Sequence, residues 1–363
     1  MQWKQGRVLV AFVMGIVLMI SLARPARPLG GGYNLIVAVN PQGLVKLKRS
    51  NWRRYQPAFI GAALAGKDQL LVAQEAFARV LCQNLSVWTP QAGREYTVSQ
   101  GCGSTGNPQL QQQDDETVVE RATNNPKIPY ILEPRNTALF NQKPKLRWNQ
   151  VEGASSYTVT VRGPGVHWSQ ETTVSEVVYS GEKPLQPMLR YWLIVTTNQN
   201  QSSLSEEPEG FFVLSQDQAQ EVLAAKEEVK EKQLDPQSEV LALAHLFHSR
   251  SLNTEAIDLL EKEVSGGSSS PAVYQLLGEV YKQIGLNRLA RERYLKGLEL
   301  AQALEDVETI AQVQGGLALT NAIIGNGEEA QNWLGQAKEV YEQLGDQEKA
   351  SQLEEDIARY LNL

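Results

Sequence analysis

The chain has 363 residues, 42% of them hydrophobic and 21% charged, with a formal net charge of −7 and two cysteines. That length exceeds one ordinary core and calls for two or three domains, and an acidic chain of this kind is a poor candidate for nucleic-acid binding. The charge is uneven: residues 24–110 carry ten basic side chains against three acidic ones, whereas residues 236–363 carry twenty acids against ten bases, an asymmetry that favours separate modules drawn to each other or to different partners.

Residues 1–30 read as a signal peptide or membrane anchor. Met1 to Arg7 is basic, and Val8 to Ala23 is apolar and uncharged. Sixteen residues are long for a signal core and short for a membrane span of about 20. Ser21-Leu22-Ala23 offers a cleavage site, yet Arg24 and Arg27 follow it, so cleaved signal and retained anchor both stay open. Either way the rest of the chain is expected in the periplasm or cell envelope. Export permits a disulfide between Cys82 and Cys102, with two separate buried thiols as the alternative; without a nearby histidine the pair falls short of a zinc set.

Residues 31–104 predict a small β domain, with strands at YNLIVAV, GLVKLKR, DQLLVAQ, FARVLCQ, LSVW and EYTVS broken by turn clusters. Gly43-Leu44-Val45, then Gly61, Leu64 and Asp68, then the alternation Ala76, Ala78, Val80 resemble the periplasmic β domain of FecR-like proteins. The resemblance implies an envelope relay or binding module without catalysis. The basic stretch KLKRSNWRR, outside the membrane, is suited to anionic lipid head groups or acidic glycans. Residues 105–132 are polar and Gln-rich and read as a linker.

Residues 133–214 alternate with period 2 between turn clusters, as a seven-stranded β-sandwich would. Trp148, Tyr157 and the run from Leu185 through Pro187 and Tyr191 to Val195 resemble the core tryptophan and tyrosine corner of fibronectin type III domains, with Leu189 where that family usually has threonine.

From Ser215 the period changes to 3.6, and residues 215–363 predict a linker helix, helical repeats and a last amphipathic capping helix. Leu243, Ala244, Phe247, Ala256 and Leu260 recur 34 residues later as Leu277, Gly278, Tyr281, Ala290 and Tyr294; a third copy follows at an offset of 40 with Leu317, Ala318, Ala330 and Leu334. This spacing resembles the tetratricopeptide repeat. Ala244, Gly278 and Ala318 on the first helix of each copy, and Ala256, Ala290 and Ala330 on the second, are the expected close-packing positions. On that reading Gly278→Ala is expected to be nearly neutral and Gly278→Leu to cost several kcal/mol by overpacking. Two departures stand out: Ser251 replaces the turn glycine of the first copy, and Asn321 stands where an aromatic is usual.

The resemblance implies a concave groove that binds peptides, formed here by Leu241, His245 and His248, by Gln275, Glu279 and Lys282, and by Gly315, Leu319 and Ala322. Only Lys282 matches the family's clamp for a C-terminal carboxylate, which disfavours a chaperone-tail receptor. His245 and His248 share a helical face but lack the acid or cysteine that a metal site needs. No Walker loop, GxGxxG helix opening, HExxH or nucleophile elbow occurs, so no catalytic residue, metal or cofactor is expected. The expected function is a non-enzymatic envelope scaffold that holds a protein partner through its repeats. The alternatives are an envelope sensor, which would need a cytoplasmic tail longer than Met1 to Arg7, and a cell-wall or glycan-binding protein using the β modules.

Overall fold

A computed structural model describes residues 33–103, 124–206 and 210–361. The apolar segment at 8–23 and most of the polar stretch at 105–132 lie outside the described residues. An all-β N-terminal region is followed by an array of eight helices.

The first unit holds strands β1 (Asn34–Asn40), β2 (Val45–Lys48), β3 (Gln56–Pro57), β4 (Ala63–Leu64), β5 (Gln69–Val72), β6 (Phe77–Leu81), β7 (Val87–Trp88) and β8 (Arg94–Thr97), then the short helix α1 (Val98–Cys102). They form two four-stranded antiparallel sheets, β4-β1-β6-β7 and β3-β2-β5-β8. The period-2 pattern turns Val45 and Leu47, Leu70 and Val72, and Ala78 and Val80 inward onto Ile36 and Leu64. A disulfide joins Cys82, just after β6, to Cys102 at the end of α1, with Cα atoms 5.2 Å apart, and so ties the C-terminus of the unit to its core.

The second unit comprises β9 (Ile131–Glu133), β10 (Thr137–Leu139), β11 (Lys145–Trp148), β12 (Tyr157–Gly163), β13 (Val166–Thr172), β14 (Glu176–Val178), β15 (Arg190–Thr197) and β16 (Gly210–Val213). A three-stranded sheet, β14-β11-β9, faces a five-stranded one, β10-β16-β15-β12-β13. The strand beyond the expected seven is β10, which pairs parallel to β16. Trp148 and Tyr191 are buried between the sheets. Trp148 meets Tyr157 edge-on at 5.5 Å, and the Tyr191 hydroxyl accepts from the Gln186 amide at 2.9 Å, pinning the loop that crosses to β15. Order begins earlier than the polar composition suggests: the Asn124 side chain donates to the Gly285 carbonyl, the Asn124 and Asn125 amides donate to Glu206, and β9 starts at Ile131.

The helices are α2 (Gln216–Glu231), α3 (Pro236–Ser249), α4 (Asn253–Ser265), α5 (Pro271–Gln283), α6 (Asn287–Ala303), α7 (Val307–Ile324), α8 (Gly327–Leu344) and α9 (Gln347–Leu361). Ser215 and Gln218 form a reciprocal capping box that starts α2. Helices α3 to α8 are three antiparallel pairs, and α9 lies on α7 and α8. Six residues extra in the third copy go largely into α6, which has 17 residues against 13 in α4. Ser251 does the job of a turn glycine: its φ is +60° where Gly285 has +75°, so the tight turn forms without one.

One apolar core crosses the unit boundaries. Leu35 and Val37 of β1, Leu81, Leu85, Ala138 of β10 and Leu214 belong to the same buried cluster as Leu241, Phe247, Val273, Leu277 and Val280 of the helices. The array therefore sits between the two β units, with β1 on one side and β10 on another. Among the described residues no helix is long and apolar enough to cross a membrane.

Candidate functional site

The expected groove is formed by the first helix of each pair, α3, α5 and α7, and its upper part is covered by the chain's own first β unit. Ser238, at the start of α3, donates from Oγ to the Val37 carbonyl of β1 at 2.7 Å. Gly61, held at a φ of +92°, lies against α3 and α5: a Cβ there would come within 2.5 Å of the Ala272 Cβ and 3.1 Å of Leu241. Leu241 is consequently fully buried. The ring of Tyr33 covers His245 with centroids 5.1 Å apart.

This cover sets the protonation of what lies beneath. Burial first, and the neighbouring His248 second, lower the pKa of His245 to about 3, so the imidazole is neutral at physiological pH. His248 is buried too, its pKa is lowered mainly by burial, and its Nδ1 pairs with Asn253 Oδ1 at 2.9 Å. Burial, the largest influence, acts to raise the pKa of Glu279, but the Lys282 ammonium 2.6 Å away, with Tyr294 and His248, brings the net shift downward. Gln275 donates to Gln312 at 2.8 Å, linking α5 to α7.

The third set of groove positions is filled from below. Leu353 of α9 reaches the backbone of Gly315, and Leu319 and Ala322 pack in a cluster with Ile357 and Leu361. The nine groove residues are thus divided: Leu241 and His245 lie under the first β unit, His248 is buried, Glu279 and Lys282 form a partly exposed ion pair, Gln275 joins two helices, and Gly315, Leu319 and Ala322 lie under α9. Among the described residues no cluster of three or more His, Cys, Asp or Glu is arranged to hold a metal ion.

The small packing positions are close contacts. Ala244, Ala256, Ala290, Ala318 and Ala330 are all fully buried. Gly278 is tighter than expected: an added Cβ would lie 2.5 Å from Cε1 and 2.6 Å from Cδ1 of Tyr294. Gly316 presses on the other side of that ring, with an added Cβ 2.5 Å from Cζ. Near-neutrality of Gly278→Ala does not survive this geometry, because a buried aromatic ring held between two glycines has nowhere to move.

Charged contacts complete the docking of the first β unit. Arg49, in the loop after β2, donates to Asp68 and to the Ala63 carbonyl at 2.6 Å within its own unit and forms a 2.7 Å ion pair with Glu308 of α7. The Arg53 amide donates to the Leu344 carbonyl at the end of α8, and Asn51 donates to Glu348 of α9. Arg79 reaches the Lys232 carbonyl beyond α2.

The second β unit docks on the turns instead. The Ser251 carbonyl accepts from the Ala138 amide at 2.7 Å and from Thr137 Oγ1, Asn253 donates to the Asn136 carbonyl, and Arg135 donates to the Ile284 carbonyl. Beside this seam Glu133, Arg147 and Asp258 line a cleft of about 90 Å³. Glu255 of α4, near Asp258 and Glu133, has its pKa raised to about 7, chiefly by burial. Tyr33 and Ser238 carried no motif; Arg49, Asn51 and Arg53 belong to the basic stretch KLKRSNWRR, and the opposite charge of the two ends was the sequence signal for this docking.

No family model matches the chain, and no curated protein matches it.

Proposed function

We propose that the chain is a non-enzymatic scaffold of the cell envelope in which a tetratricopeptide-like array holds a FecR-like β domain and a fibronectin type III-like sandwich in fixed relation. The observation that carries this reading is the use of the groove: the surface on which a repeat array would seat a partner peptide is taken by β1 and Gly61 of the same chain. The array acts first as a chassis, and partner proteins are held on the outer surfaces of the mounted β units and on the remaining helix faces.

The finer resemblances have local support. The strand order β14-β11-β9 over β10-β16-β15-β12-β13, with Trp148 in the core and the Tyr191 hydroxyl pinning the loop before it, fits a fibronectin type III-like sandwich. Three helix pairs whose turns repeat a left-handed residue at Ser251, Gly285 and Gly325 fit tetratricopeptide-like repeats. Gly61 and Asp68 of the FecR-like pattern serve as the docking point on the array and as the partner of Arg49.

Two measurements test the reading. A reporter enzyme active only in the cytoplasm, fused after Leu110, should be inactive; activity would remove the envelope assignment. Photo-cross-linking residues placed at exposed Lys67, Glu182 and Glu328 of the full chain in native envelopes should give a discrete adduct with another protein from at least one β unit. Adducts from none of the three would sink the scaffold reading.

A further inference from the structure

Among the described residues the five-stranded sheet ends in a strand, β13, with no further strand beyond it. β13 pairs with β12 over seven consecutive positions, from Gly163 opposite Val166 to Tyr157 opposite Thr172, without a bulge. On its other side it has no strand neighbour, and among the described residues no backbone hydrogen bond leads from it to anything but β12. Sheet edges are ordinarily blunted by lysine, proline, a bulge or a covering element, because a regular free edge is a template for another strand. Val-His-Trp-Ser-Gln-Glu-Thr has no lysine, proline or bulge, and its one acid, Glu171, sits on the exposed outer face.

Among the described residues the edge is also open on its outer side. The helical array contacts the opposite end of the sheet, at β10, so β13 lies four strand spacings away from it, roughly 19 Å.

We propose that β13 is a self-association edge: a second copy of this chain adds its own β13 antiparallel about a two-fold axis through Ser169, joining two five-stranded sheets into one. The strand is complementary to itself in that register and chemically in no need of another partner. With Ser169 opposite its own copy, His167 stands opposite Glu171 of the partner chain, and by symmetry the pairing occurs twice. His167, Ser169 and Glu171 are all exposed on the outer face, where Ser169 Oγ lies 3.2 Å from Thr160 Oγ1. Arg162, opposite His167 on β12, adds a cation to the same row and so favours the incoming carboxylate. Trp168 meets Gln170 on the inner side. Extending the register by one step sets Val174, 56% exposed, against the exposed Pro164 of the partner's β12–β13 hairpin, which removes apolar surface left bare in one copy. A one-residue slip would place His167 opposite Gln170 or Thr172 and lose both His167–Glu171 pairings.

The experiment uses the full chain in native envelopes, where the Cys82–Cys102 disulfide leaves an introduced cysteine as the free thiol. Ser169→Cys should give a reductant-sensitive dimer, since directly opposed residues of an antiparallel pair have Cα atoms about 4.5 to 5.5 Å apart, within disulfide reach. His167→Cys alone should not cross-link, because its copy lies four residues along the strand, roughly 14 Å away. Mixing His167→Cys chains with Glu171→Cys chains should restore the dimer, which also covers the case in which Ser169→Cys fails to fold. Sedimentation of the otherwise unaltered chain should show a dimer that Gln170→Pro converts to monomer. The proposal is overturned if Ser169→Cys and the mixed pair stay monomeric, if His167→Cys cross-links as well as the mixture, or if the adduct formed at Ser169 is with a different protein.

Discussion

Tyr294 is the residue on which the helical array turns. Its ring is fully buried between Gly278 of α5 and Gly316 of α7, so one side chain from the second helix of a pair spaces three helices. Gly278 was legible from the repeat alignment as a close-contact position; the identity of what it touches was not, since Tyr294 stands where the first copy has Leu260 and nothing in periodicity announces a ring. The consequence reverses the sequence-based expectation for alanine. The helix-propensity gain of about 1 kcal/mol is opposed by an overlap that forces the ring or a backbone to shift, and overpacking of this kind costs about 1 to 3 kcal/mol. Gly278→Ala should therefore lower stability in denaturant titrations of the full chain, and so should Gly316→Ala. Because both press on one ring, the double variant should depart from additivity. A Gly278→Ala chain as stable as the parent would mean that Tyr294 can leave its slot.

At the scale of elements, the seams between units hold the groups that make stability depend on pH. Glu255 of α4 lies at the sandwich seam with its pKa raised from 4.5 to about 7, mainly by burial. The native state thus keeps a proton that the unfolded chain releases. Its contribution is fully present below the unfolded value and is lost as pH rises through about 7. His245 on α3 has the opposite sign. Its pKa falls from 6.5 to about 3 on burial under Tyr33, so the unfolded chain binds the extra proton and stability falls as pH drops below 6.5. Between about 4.5 and 6.5 the two slopes oppose, and each must be read as a difference from its own variant. Glu255→Gln should gain on the parent as pH rises from 5 to 8, and His245→Leu should gain as pH falls from 7 to 4; a flat difference for either would remove that group from its seam. The elements themselves were largely legible: most strands and the helix pairs fall where alternation and the 34-residue period place them. What was not legible came from tertiary pairing. The short strand β10 exists because Leu139 and its neighbours add to β16, and Ser251 accepts a left-handed backbone in a turn whose carbonyl then receives Ala138 and Thr137.

For the whole molecule, the opposite charge of the two ends is met across the docking seam by the Arg49–Glu308 ion pair, and the groove expected to face a partner is covered at its two ends by the first β unit and by α9. Long-range docking of this kind leaves no periodic trace; Arg49 and Glu308 are 259 positions apart. One core runs from β1 and β10 through α3 to α7, so the chain should unfold as one cooperative unit instead of shedding its β domain from a stable array. Arg49 is the sharpest probe of that coupling. It is shared by Asp68, which is 2% exposed, and by Glu308, and replacing it with methionine would leave two carboxylates facing each other with no cation between them. Breaking a buried pair from one side costs about 3 to 5 kcal/mol, whereas removing one of two acids that share a cation costs less. Arg49→Met should thus lower the melting temperature of the full chain in calorimetry far more than Glu308→Gln does. The loss should also expose the first β unit to limited proteolysis, because the same side chain closes its β2–β3 loop and ties it to α7. Two well-separated melting transitions in the parent chain, or an Arg49→Met chain that melts with the parent, would show that the β unit is seated on the array without being part of its core.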